Sequence, residues 1–170
     1  MVLIAVLIKI DSRGPVFIVQ ERVGLNGKIF KCYKFRTMVE NAESNGAKLS
    51  DAHDVRVTRA GAFLRVCFLD ELPQLFNIFV GEMSFVGPRP ERPYFHKKFS
   101  RKIAGWAARV YVKPGLAGLA QVHGFSSLEP EKKLEKDLEY IRNQGFFVDM
   151  KLIAVQLKIA LENTVLFVVK

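Results

Sequence analysis

The stretch FLDELPQLFNIF, residues 68–79, decides how this chain is interpreted, because it joins two adjacent carboxylates, Asp70 and Glu71, to an apolar run. The apolar residues recur at positions i, i+3, i+4 and i+7, the spacing of one helical face: Leu72, Leu75, Phe76 and Phe79. The spacing predicts a helix that begins near Asp70, with Asp70 as its N-cap and Pro73 in its first turn. Because the helix dipole also favours acids there, capping explains the pair without any catalysis.

Composition and charge restrict the possible classes of protein. The chain has 170 residues, 49% of them hydrophobic, which is typical of one domain with a real core and excludes a disordered chain. Lys and Arg total 26 against 17 for Asp and Glu, a net charge of +9. This charge indicates an anionic partner, and nucleic acid, lipid headgroups and a phosphorylated substrate all fit it.

The cysteines and histidines do not predict a metal centre. Cys32 and Cys67 lie in apolar or basic surroundings without the spacing of metal ligands, so we expect packing roles in a reduced cytosolic environment. The histidines, His53, His96 and His123, are scattered along the chain. Without a Cys/His cluster we expect surface or hydrogen-bonded histidines, and no zinc site.

Both ends of the chain are apolar. Residues 1–10, MVLIAVLIKI, are about half as long as the ~20 residues that span a bilayer, and they lack the basic region and cleavage site of a signal peptide. A buried strand and the tail of a longer membrane-inserted segment are both open interpretations. Residues 146–170 predict an amphipathic helix that packs on the core or lies at a membrane interface. Its apolar face comprises Phe146, Met150, Ile153, Leu157 and Leu161.

The central segments predict a hairpin, a polar insertion and a stiff loop. Residues 12–35 have β-propensity, and the turn dipeptides Gly14-Pro15 and Asn26-Gly27 flank the strands. Residues 39–54 are polar and predict an exposed helix–loop insertion. In MSFVGPRPERP, residues 83–93, prolines fix the backbone around Arg89.

Residues 91–113 mix cations with aromatic side chains, and three interpretations fit the mixture. In an RNA-binding module the rings would stack on bases while the cations pair with phosphates. At a membrane the rings would lie among the headgroups while the cations meet anionic lipid, at about 1 kcal/mol each. In a solvated helix the aromatics would face the core.

Four cations in constrained positions indicate a chemical function for the acid pair: Lys34, Arg36, Arg65 and Arg89. Paired carboxylates bind Mg²⁺ and arginines clamp phosphate oxygens, so the set fits a nucleotide diphosphate poised for phosphoryl transfer. An aspartate can itself attack phosphorus, forming an acyl phosphate and splitting one displacement into two. A helix N-terminus would share the phosphate charge. Taken singly, each cation is more commonly a surface charge or an ion-pair partner.

Four stretches occur in the order found in bacterial monotopic phosphoglycosyl transferases, also called the bacterial sugar transferase family. They are GPVFIVQERVGLNGKIFKCYKFRTM (14–38), RVTRAGAFLRVCFLDELPQLFNIFVGEMSFVGPRPERP (56–93), VKPGLAGLAQVHG (112–124) and DLEYIRNQGFFVDMKL (137–152). From about Ile10 onward the chain resembles the catalytic domain of that family. LDELPQL and VGPRP at this spacing are its most specific elements.

The resemblance implies transfer of a sugar 1-phosphate from a UDP-sugar to a polyprenol phosphate, with release of UMP, at the first membrane step of bacterial glycan assembly. It implies that Asp70 is the nucleophile and that Glu71 helps to hold Mg²⁺. It makes Arg65 and Arg89 candidates for contacts to phosphate or uridine diphosphate. We place the remaining candidates in the same site: Lys34, Arg36 and Pro88.

The resulting expectation is an α+β domain covering residues 1–170, with amphipathic helices around a small irregular sheet. Residues 1–10 would be the remnant of an N-terminal membrane-inserted segment. The domain would lie on the cytoplasmic face of the bacterial inner membrane, bind its anionic surface and not nucleic acid, and react by a ping-pong mechanism. Two departures from the family pattern, Cys67-Phe68 before the acid pair and Ala117 in the PG loop, bear on the expected loop geometry and sugar choice and not on the expected reaction. An inactive scaffold and a nucleic-acid-binding module are the rival hypotheses.

Overall fold

A computed structural model of the chain, which describes residues 1–44, 46, 48–50, 54–124 and 129–169, begins with helix α1 (Val2–Asp11). The interpretation of residues 1–10 as a buried strand is therefore wrong. Ile8 is buried against Phe35 and Leu64, while most of the other apolar side chains of α1 are exposed. The last residue of α1 contacts the next helix of the fold: the Asp11 carboxylate accepts a hydrogen bond of 3.0 Å from the Ala60 N–H.

The predicted hairpin is confirmed. Strands β1 (Phe17–Val23) and β2 (Ile29–Phe35) pair antiparallel, from Phe17 opposite Phe35 to Val23 opposite Ile29. The connection turns at Asn26 and Gly27, which have φ angles of 55° and 79°. Asn and Gly tolerate this left-handed region better than other residues, and this is why the dipeptide signals the turn.

The acid pair does not begin the helix that the spacing predicts. Helix α2 (Arg59–Val66) ends, Phe68 adopts a left-handed conformation (φ 56°), and a short 3₁₀ helix (Leu69–Glu71) contains both acids. Helix α3 (Gln74–Phe79) starts only after Pro73. Asp70 is therefore not an N-cap, and the capping interpretation is wrong.

The predicted apolar face of α3 is turned away from the core. Leu75, Phe76 and Phe79 are exposed, Phe79 to 88%, whereas Gln74 and Asn77 are buried. Asn77 lies against the edge of β2, where its side chain accepts from the Tyr33 N–H at 3.2 Å and donates to the Lys31 carbonyl at 2.7 Å. A polar residue is buried here because it satisfies backbone groups that the two-stranded sheet leaves unpaired.

Two short strands, β3 (Ser84–Val86) and β4 (Gly115–Ala117), form a second, parallel pair. Between them lie α4 (Pro93–Lys102) and a 3₁₀ helix (Trp106–Tyr111), and α5 (Leu119–Val122) follows β4. Phe95, Phe99 and Trp106 form a buried cluster, so these aromatics face the core. The cations of α4 form an exposed face: Lys97, Lys98, Arg101 and Lys102.

Two helices complete the described chain, α6 (Pro130–Asn143) and α7 (Phe146–Val169). The predicted C-terminal helix is confirmed, but of its predicted apolar face only Ile153 packs against a core cluster. Leu152 is the buried anchor of α7, while Phe146, Leu157 and Leu161 are exposed. Within the described ranges, we find no helix that is both long enough and apolar enough to cross a membrane.

The polar insertion is largely exposed, as predicted, but the described part of residues 39–54 contains turns and no helix. Residues 45, 47 and 51–53, which include His53, lie outside the described residues. A bridge between Met38 and Val57 closes the base of the insertion.

The inverted burial of α3 predicts an unusual pattern of stability. We expect Asn77→Ala to lower the free energy of unfolding by about 2–3 kcal/mol, because it leaves buried backbone groups of β2 unpaired. Phe79→Ala, on the same helix, should change it by less than about 0.5 kcal/mol, since that ring is exposed. Urea denaturation measures both, and a larger loss for Phe79→Ala would contradict the described orientation of α3.

Candidate active site

Four elements converge on one cavity of about 1010 Å³. The 3₁₀ helix between α2 and α3 supplies Asp70 and Glu71, the end of β2 supplies Lys34, α2 supplies Arg65, and the loop after β3 supplies Arg89. The sequence analysis predicted all five as site residues, and the structure brings them together. Lys34 and Arg89 are far from the acid pair in the chain, so the fold brings these two cations to the site.

Glu71 is the centre of the site's ion pairs. Its Oε1 atom accepts from Lys34 Nζ at 3.1 Å and from Arg89 Nη2 in a second, shorter contact. Burial raises the pKa of the Glu71 carboxyl, but the charges of Arg89 and Lys34 outweigh burial and hold that pKa well below its usual range. Glu71 is therefore an ionised anchor for two cations from distant parts of the chain.

Asp70 has the opposite electrostatic environment. Its side chain is buried next to the negative charge of Glu71, and these two effects, burial first, raise the pKa of Asp70 to about 6. The positive charges of Lys34, Arg89 and Arg65 offset only part of this. At neutral pH Asp70 is thus a carboxylate that is poorly stabilised, a state that favours reaction with an electrophile.

Arg65 is held at the cavity wall by a close approach between α2 and the segment after β2. A Cβ on Gly61 would lie 2.0 Å from the Thr37 carbonyl oxygen, so only glycine permits this packing. The packing lets Arg65 Nε donate to Thr37 Oγ1 at 2.9 Å, while Nη1 donates to Ser50 Oγ at 2.9 Å. Its guanidinium is thereby fixed within electrostatic range of Asp70.

The remaining two predicted site residues lie apart from the acid pair. Arg36 also lines the cavity, but its Nη2 donates to the Ser12 carbonyl at 2.8 Å and Nη1 donates to the Arg13 carbonyl, just after α1. Pro88 is buried and does not line this cavity. The structure thus gives Arg36 a capping function at α1 and gives Pro88 a place in the backbone of the loop that carries Arg89.

Sequence reasoning missed a group of charges behind Arg89, in which Arg22 is half-buried and the other four are buried: Glu91, Arg109, Lys133 and Asp137. The signal was present in α6, where Lys133 and Asp137 are four residues apart and share a face with the buried Leu134 and Tyr140. Charged residues on the apolar face of a helix indicate buried partners, since unpaired buried charges are strongly unfavourable.

The residues fit Mg²⁺ only together with an anionic ligand. In the described part of the chain, no group of three or more His, Cys, Asp or Glu side chains is placed to hold a metal ion. Asp70 and Glu71 offer two carboxylates, but Lys34, Arg65 and Arg89 already surround them with three positive charges. Mg²⁺ is commonly held by one or two carboxylates plus substrate phosphates, and a diphosphate would supply the missing negative charge here.

Comparisons with known proteins agree with the resemblance seen in the sequence. The family model described as bacterial sugar transferase matches residues 1–163. An Aeromonas hydrophila protein named UDP-N-acetylgalactosamine-undecaprenyl-phosphate N-acetylgalactosaminephosphotransferase is 43% identical over 152 residues, which are 88% of this chain and 36% of that protein. A Xanthomonas campestris pv. campestris protein named UDP-glucose:undecaprenyl-phosphate glucose-1-phosphate transferase is 43% identical over 159 residues, or 90% of this chain and 33% of that protein.

A shorter relative is an uncharacterized sugar transferase of Bacillus subtilis, strain 168. It is 42% identical over 152 residues, which are 89% of this chain and 73% of that protein. The chain therefore spans about a third of the length of the two longer relatives and most of the shorter one.

The electrostatics of Asp70 predict a pH-dependent effect of Asp70→Asn on stability in metal-free protein. Because the pKa of Asp70 rises from 3.8 to about 6 on folding, the folded state binds more protons between those values, and stability falls as pH rises through this window. The penalty approaches its full size as pH rises well above the folded-state pKa. We expect Asp70→Asn to raise the free energy of unfolding at pH 8 by on the order of 2 kcal/mol and to leave it nearly unchanged at pH 4.

Chemical denaturation in the presence of a chelator measures this difference. Glu71→Gln is the matched control, because its pKa is shifted in the opposite direction. It should lower the unfolding free energy at pH 8. An Asp70→Asn protein that is less stable than wild type at pH 8 would contradict the described environment.

Proposed function

The chain belongs to the bacterial sugar transferase family, and from this membership we propose that it transfers a sugar 1-phosphate from a UDP-sugar to a polyprenol phosphate, releasing UMP. The observation that carries the proposal is the pairing of a poorly stabilised carboxylate, Asp70, with cations that face the same cavity. The names of the relatives support the same class of substrates. The proposed product is a polyprenyl diphosphate sugar, the starting point of bacterial glycan assembly.

In the first step, a carboxylate oxygen of Asp70 attacks the β-phosphorus of the UDP-sugar. An O–P bond forms to Asp70, and the bond from the β-phosphorus to the oxygen that bridges it to the α-phosphorus breaks, so UMP leaves with the electron pair. The raised pKa of Asp70 supports this role, because a more basic carboxylate is a better nucleophile, and above pH 6 it is mainly ionised.

Arg89 and Lys34 stabilise the charge that develops on the phosphates. Arg89 suits this task because its side chain is 32% exposed while its partner Glu71 is only 8% exposed, so the guanidinium retains N–H groups for an incoming ligand. Arg65, on α2, lines the same cavity, and its positive charge interacts with Asp70. Asp70 and Glu71 would hold Mg²⁺, which when bound neutralises the diphosphate and polarises its P–O bonds.

In the second step, a phosphate oxygen of the polyprenol phosphate attacks the phosphorus of the aspartyl phosphosugar. The new diphosphate bond forms, the bond to Asp70 breaks, and the carboxylate is restored. UMP departs before the lipid reacts, so the proposed mechanism is ping-pong. One nucleophile, Asp70, thus serves both half-reactions.

We further propose that the domain associates peripherally with one leaflet of the bacterial inner membrane, at its cytoplasmic face. Exposed apolar side chains occupy α1, α3 and α7, among them Leu3, Phe79 and Leu161. Such faces favour a membrane interface, and the exposed cations of α4 favour anionic headgroups. The apolar face of α3 starts four residues after Glu71, so membrane contact there would bring the lipid substrate close to the acid pair.

The nucleic-acid hypothesis loses its main support in this structure. Base stacking needs accessible rings, but Phe95, Phe99 and Trp106 are buried in the core. Of the aromatic side chains in residues 91–113, only Tyr94 and Tyr111 are exposed, and Tyr111 lies outside α4, so that helix presents one accessible ring beside its cations. An inactive scaffold has no use for an acid with a raised pKa, and UMP release distinguishes it from an enzyme.

Covalent labelling tests the nucleophile. We expect wild-type protein incubated with Mg²⁺ and its UDP-sugar, without lipid acceptor, to gain the mass of one sugar phosphate on Asp70, detected by mass spectrometry of peptides. Asp70→Asn should abolish the label and UMP release, because an amide is a far poorer nucleophile toward phosphorus. Glu71→Gln should reduce both strongly, and added Mg²⁺ should restore part of the loss.

The control is Phe79→Ala, an exposed residue outside the cavity, which should be labelled normally in detergent. Each member of a panel of UDP-sugars is tested, because the structure does not select the sugar. A label on any residue other than Asp70, or an active Asp70→Asn protein, would overturn the assignment.

Flotation with liposomes tests membrane association. Phe79→Glu should reduce binding to vesicles that contain anionic lipid, because it places a charge on the exposed apolar face of α3. Val55→Glu is the matched control, since Val55 is 95% exposed but lies in the polar segment before α2. Equal losses for the two variants, or no binding of wild type to anionic vesicles, would remove α3 from the membrane contact.

A further inference from the structure

The loop that carries Arg89 is fixed along its whole length. Each carbonyl oxygen from Pro88 to Glu91 accepts a hydrogen bond, and the donors come from three parts of the fold: β1, the 3₁₀ helix after α4, and β4. The donors are Gly115 N to Pro88 (3.1 Å), Arg109 Nη2 to Arg89 (2.8 Å), Arg22 Nη1 to Pro90 (2.7 Å) and Val23 N to Glu91 (2.9 Å). Two prolines already restrict this backbone, so the four bonds leave it little freedom.

Arg109 is the donor that binds the carbonyl of Arg89 itself. Its guanidinium is buried, and its Nε donates to Asp137 Oδ2 at 2.6 Å while Nη2 holds the Arg89 carbonyl. The guanidinium also lies over the ring of Trp106, 4.5 Å from its centroid. The planar fork of an arginine can serve both acceptors at once, whereas a lysine at this position has one nitrogen for both.

The charges around Arg109 balance one another. Asp137 of α6 pairs with Arg109, while Glu91 of the loop pairs with Lys133 of α6 and lies 4.0 Å from the Arg109 guanidinium. All four side chains are buried. Asp137 thus fixes the direction of the Arg109 fork, and the fork in turn fixes the backbone at Arg89.

We infer that Arg109 and Asp137 are positioning residues for the proposed transfer reaction, which act by holding the Arg89 backbone so that its guanidinium reaches both Glu71 and the substrate phosphates. Neither residue touches the acid pair directly. The predicted effect on the reaction rate rests on the proposed function, whereas the predicted effect on the loop does not.

A double-mutant cycle separates positioning from a general contribution to stability. We expect Asp137→Asn to reduce the single-turnover rate of Asp70 labelling by tenfold or more in wild-type background. In the Arg89→Ala background, where no guanidinium remains to be positioned, the same substitution should reduce the residual rate by less than twofold. Arg109→Lys, which keeps the buried charge, should give the same pattern and carries the test if Asp137→Asn does not fold.

Hydrogen exchange provides a readout that needs no activity. The Gly115 and Val23 amides donate to the loop carbonyls of Pro88 and Glu91. In Asp137→Asn, we expect peptides that contain these amides to exchange faster, because the loop is less well held. Leu134→Ala is the matched control: it removes a buried side chain from the same helix, in a cluster that does not include the loop. It should lower stability without selectively increasing exchange at these two amides.

The outcomes distinguish the two hypotheses. If wild type forms no aspartyl phosphosugar with any UDP-sugar, the proposed function fails, while the exchange experiment still judges the positioning of the loop. If labelling occurs but the losses from Asp137→Asn and Arg89→Ala multiply, Asp137 does not act through Arg89 and the inference is wrong. Unchanged exchange at Gly115 and Val23 in Asp137→Asn would also overturn it.

Discussion

The shared carboxylate of Glu71 is the interaction on which the site depends. Through Lys34 and Arg89 it links the end of β2, the 3₁₀ helix after α2 and the loop after β3. These elements contribute little sheet of their own, since each sheet has two strands. A buried carboxylate is costly unless it is paired, so the ion pairs of Glu71 favour structures in which all three elements are in place together.

The same arrangement separates the two acids chemically. Both are buried and adjacent, yet Glu71 takes the hydrogen bonds of the cations and Asp70 is left with the effects of burial and of its negative neighbour. A pair of carboxylates whose pKa values are pushed apart in this way can divide its tasks, one acid organising charge and the other reacting. The difference arises from which acid the cations reach, and not from any difference in exposure.

The sequence predicted the hairpin, the C-terminal helix and the members of the site better than it predicted burial. Turn dipeptides such as Asn26-Gly27 depend on local backbone preferences, and a sequence motif identifies its residues without knowledge of the fold. Both kinds of feature could therefore be predicted from the sequence. The apolar periodicity of α3 shows that the helix has an apolar face, but it does not show whether that face is buried. The side of the helix that meets the protein is decided by β2, whose edge requires the amide of Asn77. Asp137 was missed for a related reason: a charge on an apolar helix face indicates a buried partner, but the sequence does not identify that partner as Arg109.

The junction between α1 and the body of the protein has a practical consequence for protein engineering. An apolar N-terminal helix is an obvious target for truncation when a more soluble protein is wanted. Here, however, the Asp11 carboxylate binds the first turn of α2, and the carbonyls of Ser12 and Arg13 occupy the guanidinium of Arg36. Deletion of residues 1–13 removes all three acceptors and exposes the apolar surface that Ile8 covers. Replacing the outward-facing residues of α1, such as Leu3 and Ile10, by polar ones would improve solubility while preserving every one of these contacts.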